Sequence, residues 1–231
     1  MQKTGQAAVG GYLNYLRFHD SGRELQELIN LLTVNETYFF REYSQLKCFA
    51  EEALPVLMAG APQRHIRVWS AGCSTGEEAY TLAIILVEML AGTGFTFQVL
   101  ATDINTSVLK AAERAVYGER SVRDVPDVYK QKYFQKEGGW YAVCPEVKSK
   151  VSFSYLNLAD DWTSRMGNLH AIFCRNVLIY FDDLSRREVA LKFYRALVPG
   201  GFIFLGHSES MSRIAPIFKV RRFNHAIIYQ K

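Results

Sequence analysis

The chain has 231 residues, a formal net charge of +4 and a hydrophobic fraction of 49%. Such a fraction supplies a full core and excludes global disorder, and so modest a positive charge does not by itself indicate nucleic acid. The longest apolar stretch, around 82–90, is broken by Glu88, and the first twenty residues hold no continuous apolar core, so neither a membrane span nor a signal peptide is expected.

In chain order, Leu25, Leu28, Ile29 and Leu32 have helical spacing. Thr33-Val34-Asn35-Glu36-Thr37 follows, then the aromatic run Tyr38-Phe39-Phe40 and Arg41. A second helix is predicted over about 44–57, closed by Gly60 to Pro62. The pattern then alternates: strand 66–71, helix 77–91, strand 97–102, helix 107–115, and later strand 151–155, strand 170–174, helix 184–197 and strand 201–206. This alternation predicts an α/β fold with a parallel sheet covered on both faces. Pro199-Gly200-Gly201 predicts a helix stop and a tight turn. The segments 218–222 and 226–229 read as a final strand pair. An antiparallel strand there would distinguish a methyltransferase sheet from a dinucleotide-binding one. Between 117 and 151 the alternation lapses into a short helix at 129–134 and a hairpin around Gly138-Gly139. That excursion predicts an inserted subdomain, serving either partner docking or as a structural flap.

Cys48, Cys73, Cys144 and Cys174 are scattered, with no C-x-x-C pair, and the five histidines are scattered too. Reduced cytosolic thiols and no metal site are expected. Arg213, Lys219, Arg221 and Arg222 form a basic cluster that reads as a solvated face, since no base-stacking aromatics interleave it.

The segment 68–81 carries the chemistry. A buried strand runs into a small-residue turn and a helix opening with Glu77 and Glu78. A second strand ends in Thr102-Asp103, with Asp103 standing 27 residues after Gly76. An acidic residue at that place is where a nucleotide ribose is held. The G-x-G-x-x-G fingerprint is not met, because the glycines stand at 72 and 76 and position 74 is Ser. Two carboxylates at the helix start already complement its dipole and would repel a pyrophosphate. A cationic or zwitterionic nucleoside such as S-adenosylmethionine suits this turn better than NAD. A plain packing turn before a well-charged helix remains the alternative at this point.

Five motifs now stand in order: Asn35-Glu-Thr-Tyr-Phe-Phe-Arg41, Ser70-Ala-Gly-Cys-Ser-Thr-Gly-Glu-Glu78, Ala101-Thr-Asp-Ile104, Phe173-Cys-Arg-Asn-Val-Leu-Ile-Tyr-Phe181 and Gly206-His-Ser-Glu209. Together they resemble the CheR family of chemotaxis-receptor methyltransferases, from about Leu25 to the C-terminus. The resemblance implies a class I S-adenosylmethionine-dependent methyltransferase fold, Rossmann-like, with a mostly parallel seven-stranded sheet and helices on both faces. It also implies an N-terminal helical unit over 1–45, here shortened, and a methyltransferase domain over 46–231 with a β-subdomain inserted at about 117–150. The tight turn at Glu137-Gly138-Gly139 departs from members that dock on a receptor's C-terminal pentapeptide. Independence from such a tether is therefore expected.

The activity implied is methyl transfer to glutamate carboxylates of chemoreceptors, by a cytoplasmic monomer whose product is S-adenosylhomocysteine. Its substrates would be the receptors' cytoplasmic helical domains, without nucleic acid or membrane insertion. By the same resemblance Asn35, Thr37 and Arg41 lie against the cofactor, with Arg41 and Tyr180 catalytic. Ala71, Gly72 and one of Glu77 and Glu78, with Glu78 favoured, contact the cofactor, and Asp103 accepts from the ribose hydroxyls. Asn157 and Leu158 line the adenine pocket, and Cys174, Arg175 and Asn176 stand beside the sulfonium. A glutamate is ionised near pH 7, so no histidine base is needed. His207-Ser208-Glu209 lacks an oxyanion-hole segment and reads as substrate-side or structural. Two other readings are a catalytically inactive cofactor-binding or receptor-docking module, and an NAD-dependent oxidoreductase, disfavoured by the missing fingerprint.

Overall fold

The computed structural model describes Thr4, Gly5 and residues 8–231, without the side chains of Ser212 and Arg213. Residues 1–3, 6 and 7 at the head of the expected N-terminal unit lie outside the described residues, as does the Arg213 side chain of the basic cluster.

Two short helices open the chain, α1 (Val9–Phe18) and α2 (Arg23–Leu32). The first was not legible in the sequence. Asp20 starts α2 by accepting from Glu24 N at 3.2 Å and Leu25 N at 2.8 Å, which satisfies orphan amides of its first turn. The apolar stripe of α2 does not join a core, since none of its residues is buried. The helix is tied down by polar groups instead. Gln26 donates to Ile104 O at 2.9 Å, and Asn30 Oδ1 accepts from Thr106 N at 3.0 Å.

The helix predicted over 44–57 is α3 (Tyr43–Cys48) and α4 (Leu54–Ala59), joined by a π-helical stretch Phe49–Ala53. Pro55 has no N–H to offer the carbonyl four residues back, which loosens the helical register ahead of it.

The sheet follows: β1 (His65–Ala71), α5 (Glu77–Leu90), β2 (Thr96–Asp103), α6 (Thr106–Arg114) and then a small unit of β3 (Val116–Gly118), α7 (Asp127–Tyr133), β4 (Phe134–Glu137), β5 (Trp140–Val143) and α8 (Pro145–Lys148). The chain returns through β6 (Val151–Tyr155), β7 (Leu169–Cys174), α9 (Asp183–Ala196), β8 (Leu197–Leu205), α10 (Met211–Ile214), β9 (Lys219–Arg222) and β10 (Ile227–Gln230). The seven-stranded order is β6-β2-β1-β7-β8-β10-β9, parallel from β6 to β8 and antiparallel for the last two strands. Strand order reverses at β1, which opens a crevice at the carboxyl ends of β1, β2 and β7, where open α/β sheets bind ligands.

The tight turn expected at Pro199-Gly200-Gly201 is a bulge within β8. The pairing jumps from Leu169↔Leu197 to Ala171↔Phe202, and Gly200 takes φ 83° to accommodate it. Each face of the sheet has its own core. Phe49, Phe173 and Phe204 fill one, and Trp69, Trp162 and Phe193 fill the other, all fully buried.

The second sheet, β3-β5-β4, is antiparallel and turns at Gly138 and Gly139, both at positive φ. Phe39 locks this unit to the segment after α2, meeting Tyr117 and Phe134 edge-on at 4.9 and 5.0 Å. Its amide donates to Ser121 O at 2.9 Å. Lys132 and Tyr133 on α7 both donate to Glu88 on α5, at 2.8 and 2.6 Å.

Candidate functional site

A cavity of about 600 Å³ opens at the crevice, within the roughly 300–1,000 Å³ range of small-ligand sites. Its floor is the turn after β1. Gly72 has φ 85°, and its amide and that of Cys73 donate to Thr102 O at 2.8 and 2.9 Å. A Cβ on Gly72 would stand 2.4 Å from Val177 Cγ2, so a side chain is excluded by packing as well as by backbone conformation. Ser74 (φ 50°) donates its amide to Asp103 Oδ2 at 2.8 Å and its hydroxyl to Asn35 O at 3.1 Å.

Asp103 is the acid of the site. It is buried, and Oδ1 accepts from Asn105 N at 2.9 Å. Burial pushes its pKa above the ordinary carboxylate value despite its amide donors. The N-cap of α6 is Asn105, whose Oδ1 accepts from Ser107 N and Val108 N, so capping does not require Asp103.

The opposite corner is an ion-pair network. Arg175 Nε donates to Glu78 Oε2 at 2.6 Å, while Ser70 Oγ donates to Glu78 Oε1 at 2.7 Å. Arg175 Nη1 donates to Arg41 O at 2.7 Å and lies 3.5 Å from Glu42 Oε2. Arg175 is thus buried but well compensated, and it fixes the backbone that carries Arg41. The Arg41 guanidinium itself donates to Glu36 O at 2.9 Å and lies over the Tyr38 ring.

Of the residues expected at the site, Asn35, Thr37, Arg41, Gly72, Glu78, Asp103, Asn157, Leu158, Arg175, Asn176 and Tyr180 line this one cavity. Three do not. Ala71 is buried within β1. Glu77 turns beneath the helix start, where Thr75 Oγ1 and Ser121 Oγ donate to it at 2.6 and 3.1 Å, and burial raises its pKa. Of the acidic pair it is therefore Glu78 that faces the cavity. Cys174 is wholly buried at the end of β7, its thiol pushed well above its ordinary pKa by burial.

Three placements differ in detail from expectation. The Asn157 amide is engaged in its own turn, accepting from Ala159 N at 3.0 Å and donating to Asp160 Oδ1 at 3.1 Å. Tyr180 is 63% exposed at the rim, which excludes a core role. In the fifth motif, Glu209 Oε2 accepts from Gly206 N and Asn176 N, both at 2.8 Å. It braces Asn176, at φ 60°, from behind.

The sequence reading missed Ile29, Leu32 and Val34, which line the cavity from the α2 side. The signal was the helical spacing of Leu25, Leu28, Ile29 and Leu32, of which Ile29 and Leu32 form this wall. Ser74 and Val177 were missed as well.

Comparison with known proteins shows the family. Residues 35–227 match the family described as "CheR methyltransferase, SAM binding domain". The chain is 44% identical to "Chemotaxis protein methyltransferase 2" of Vibrio cholerae, over all of this chain and 81% of that protein. It is 37% identical to the "Chemotaxis protein methyltransferase" of Salmonella typhimurium, over 96% of this chain and 76% of that one. With "Chemotaxis protein methyltransferase 1" of Pseudomonas aeruginosa it shares 32% identity over the whole of this chain and 85% of that protein.

Proposed function

This chain belongs to the CheR methyltransferase family, and from that premise we propose that it methylates glutamate side chains of chemoreceptors at the cavity described above. It is an S-adenosylmethionine-dependent methyltransferase with a class I fold. One observation carries the reading of the site. Four segments far apart in sequence (35–41, 72–78, 103–104 and 175–181) converge on one cavity, and the fifth motif braces its wall.

The residues fit the cofactor. Gly72 allows close approach, Asp103 keeps acceptor capacity for ribose hydroxyls, Leu156 and Leu158 offer an apolar place for a base, and acidic groups suit a cation. Bound there, S-adenosylmethionine supplies a methyl group on a positively charged sulfur, open to in-line attack by a carboxylate oxygen. The chain's own work is orientation. Arg41, held through its carbonyl by Arg175, and Tyr180, on the rim, hold cofactor and target carboxylate in line. Such positioning is worth roughly 7–11 kcal/mol at its limit. No proton has to be removed, because the target is already ionised. Dense cationic contacts to the nucleophile would stabilise the ground state and slow the reaction, and the hydroxyl of Tyr180 avoids that.

We further infer a cytoplasmic monomer acting on the helical cytoplasmic part of receptors. An N-terminal unit over 1–45 and a methyltransferase domain over 46–231 would divide the work, with the insertion at about 117–150. The two-glycine turn at Gly138 and Gly139 favours action without a receptor tether. No described helix is long and apolar enough to cross a membrane. An inactive docking module is the second reading, and the presence of both Arg41 and Tyr180 at the cavity weighs against it.

The test is methyl transfer to cytoplasmic receptor fragments with and without their C-terminal tails. Alkali-labile methyl esters on both fragments are expected. Transfer only to tailed fragments would remove tether independence, and binding without transfer would favour the docking module.

A further inference from the structure

We propose that Glu42, which does not line the cavity, biases the site toward the sulfonium cation of S-adenosylmethionine over the neutral thioether of S-adenosylhomocysteine. The two molecules share every group except one methyl and one positive charge. A fixed charge near the sulfur is the direct means of distinguishing them, and the inference rests on the cavity being the cofactor site.

Glu42 follows Arg41 in a left-handed backbone conformation, φ 57° and ψ 54°, with its side chain 13% exposed. Its Oε2 is buried and accepts no hydrogen bond. That oxygen lies 3.5 Å from Arg175 Nη1 and 3.7 Å from His207 Nδ1. Both the backbone conformation and the unbonded buried oxygen cost free energy. Arg175 also holds the turn through Arg41 O, so the Glu42 charge is not the turn's sole anchor.

Arg175 is neutralised by Glu78 at 2.6 Å, so that pair alone presents no net charge to the cavity. Glu42 is a second carboxylate on the same guanidinium, and it leaves one negative charge behind the wall. The charged residues that line the cavity, Glu36, Arg41, Glu78, Asp103 and Arg175, are the same for either ligand. Three carboxylates against two guanidinium groups, they already sum to one negative charge, and Glu42 adds a second close behind the wall. Within a protein such a surplus acts over several ångströms with little screening. His207 is positioned to modulate it, being 61% exposed with its ring nitrogen toward Glu42.

Calorimetric titrations of both ligands into wild type, Glu42→Gln and His207→Lys test the proposal. Glu42→Gln keeps the shape and leaves an oxygen beside Arg175 while removing the charge. Affinity for S-adenosylmethionine is expected to fall about tenfold and that for S-adenosylhomocysteine less than about twofold. His207→Lys sets a permanent positive charge beside Glu42 at an exposed position, and should move the affinity ratio in the same direction by about threefold. If Glu42→Gln destabilises the fold, the lysine variant carries the test alone. Equal losses for both ligands, or an unchanged ratio in the lysine variant, would overturn the proposal and make Glu42 a clamp on the turn. Failure of both ligands to bind wild type would instead strike the cofactor reading.

Discussion

The two walls of the cavity are built by different means. The sheet side, from Gly72 to Glu78, Asp103 and Arg175 to Val177, is set by strand ends, left-handed turns and buried ion pairs. Its geometry follows from the core beneath it. The α2 side, from Ile29 to Thr37, has no buried residue in its helix and is held by side-chain amides and hydroxyls reaching the β2–α6 turn. One wall is a consequence of the fold, and the other is hung on it. A ligand that fills the cavity should stiffen the second wall and leave the first unchanged, because only the second has cheap alternatives to its bonds.

Substitutions in the two walls should therefore separate stability from affinity. The largest effect is expected from Gly72→Ala. Its Cβ would meet Val177 Cγ2 at 2.4 Å in a conformation that disfavours side chains, for a loss of about 3 kcal/mol in denaturant unfolding. Adding Val177→Ala should recover the steric part and leave the backbone part. Next comes Asp103→Ala, which removes the acceptor of two buried amides as well as the proposed ribose contact. Affinity for S-adenosylhomocysteine should fall between tenfold and a hundredfold, as expected for charge-assisted hydrogen bonds of about 1.5–3 kcal/mol. Unchanged affinity would remove Asp103 from the site.

On the hung wall, Asn30→Ala deletes the acceptor of Thr106 N. It should weaken S-adenosylhomocysteine binding about fivefold, near 1 kcal/mol, with the unfolding midpoint unmoved. A matching drop in stability would show that α2 is integral to the core after all. The smallest expected effect is that of Tyr180→Phe. Turnover should fall by about three- to tenfold for one lost hydrogen bond, while cofactor affinity holds. Equal loss of both would assign the hydroxyl to binding.

The same contrast explains what the sequence could disclose. Strand 151–155 is read to the residue, and β1, α5 and β2 to within one, because each follows a strong apolar period broken by small residues. Helix α1 is missed, since Gly10 and Gly11 weaken its propensity and only Tyr12 is buried. Pro199 and Gly200 ordinarily mark a turn, and only the pairing with β7 shows a bulge in β8 instead. At the site, motifs in order and the family they resemble were enough to name eleven residues that line one cavity, but not to orient neighbours. Glu77 and Glu78 are alike in sequence, and Ser121, the partner that turns Glu77 away, comes from the inserted unit. Ala71 and Cys174 lie beside cavity residues in sequence yet face the core, an alternation that strand ends blur.

The most direct measurement is a calorimetric titration of the chain with S-adenosylhomocysteine, with NAD as the control ligand. One site of micromolar affinity for S-adenosylhomocysteine, unaffected by NAD, is expected. Absence of binding, or displacement by NAD, would contradict it.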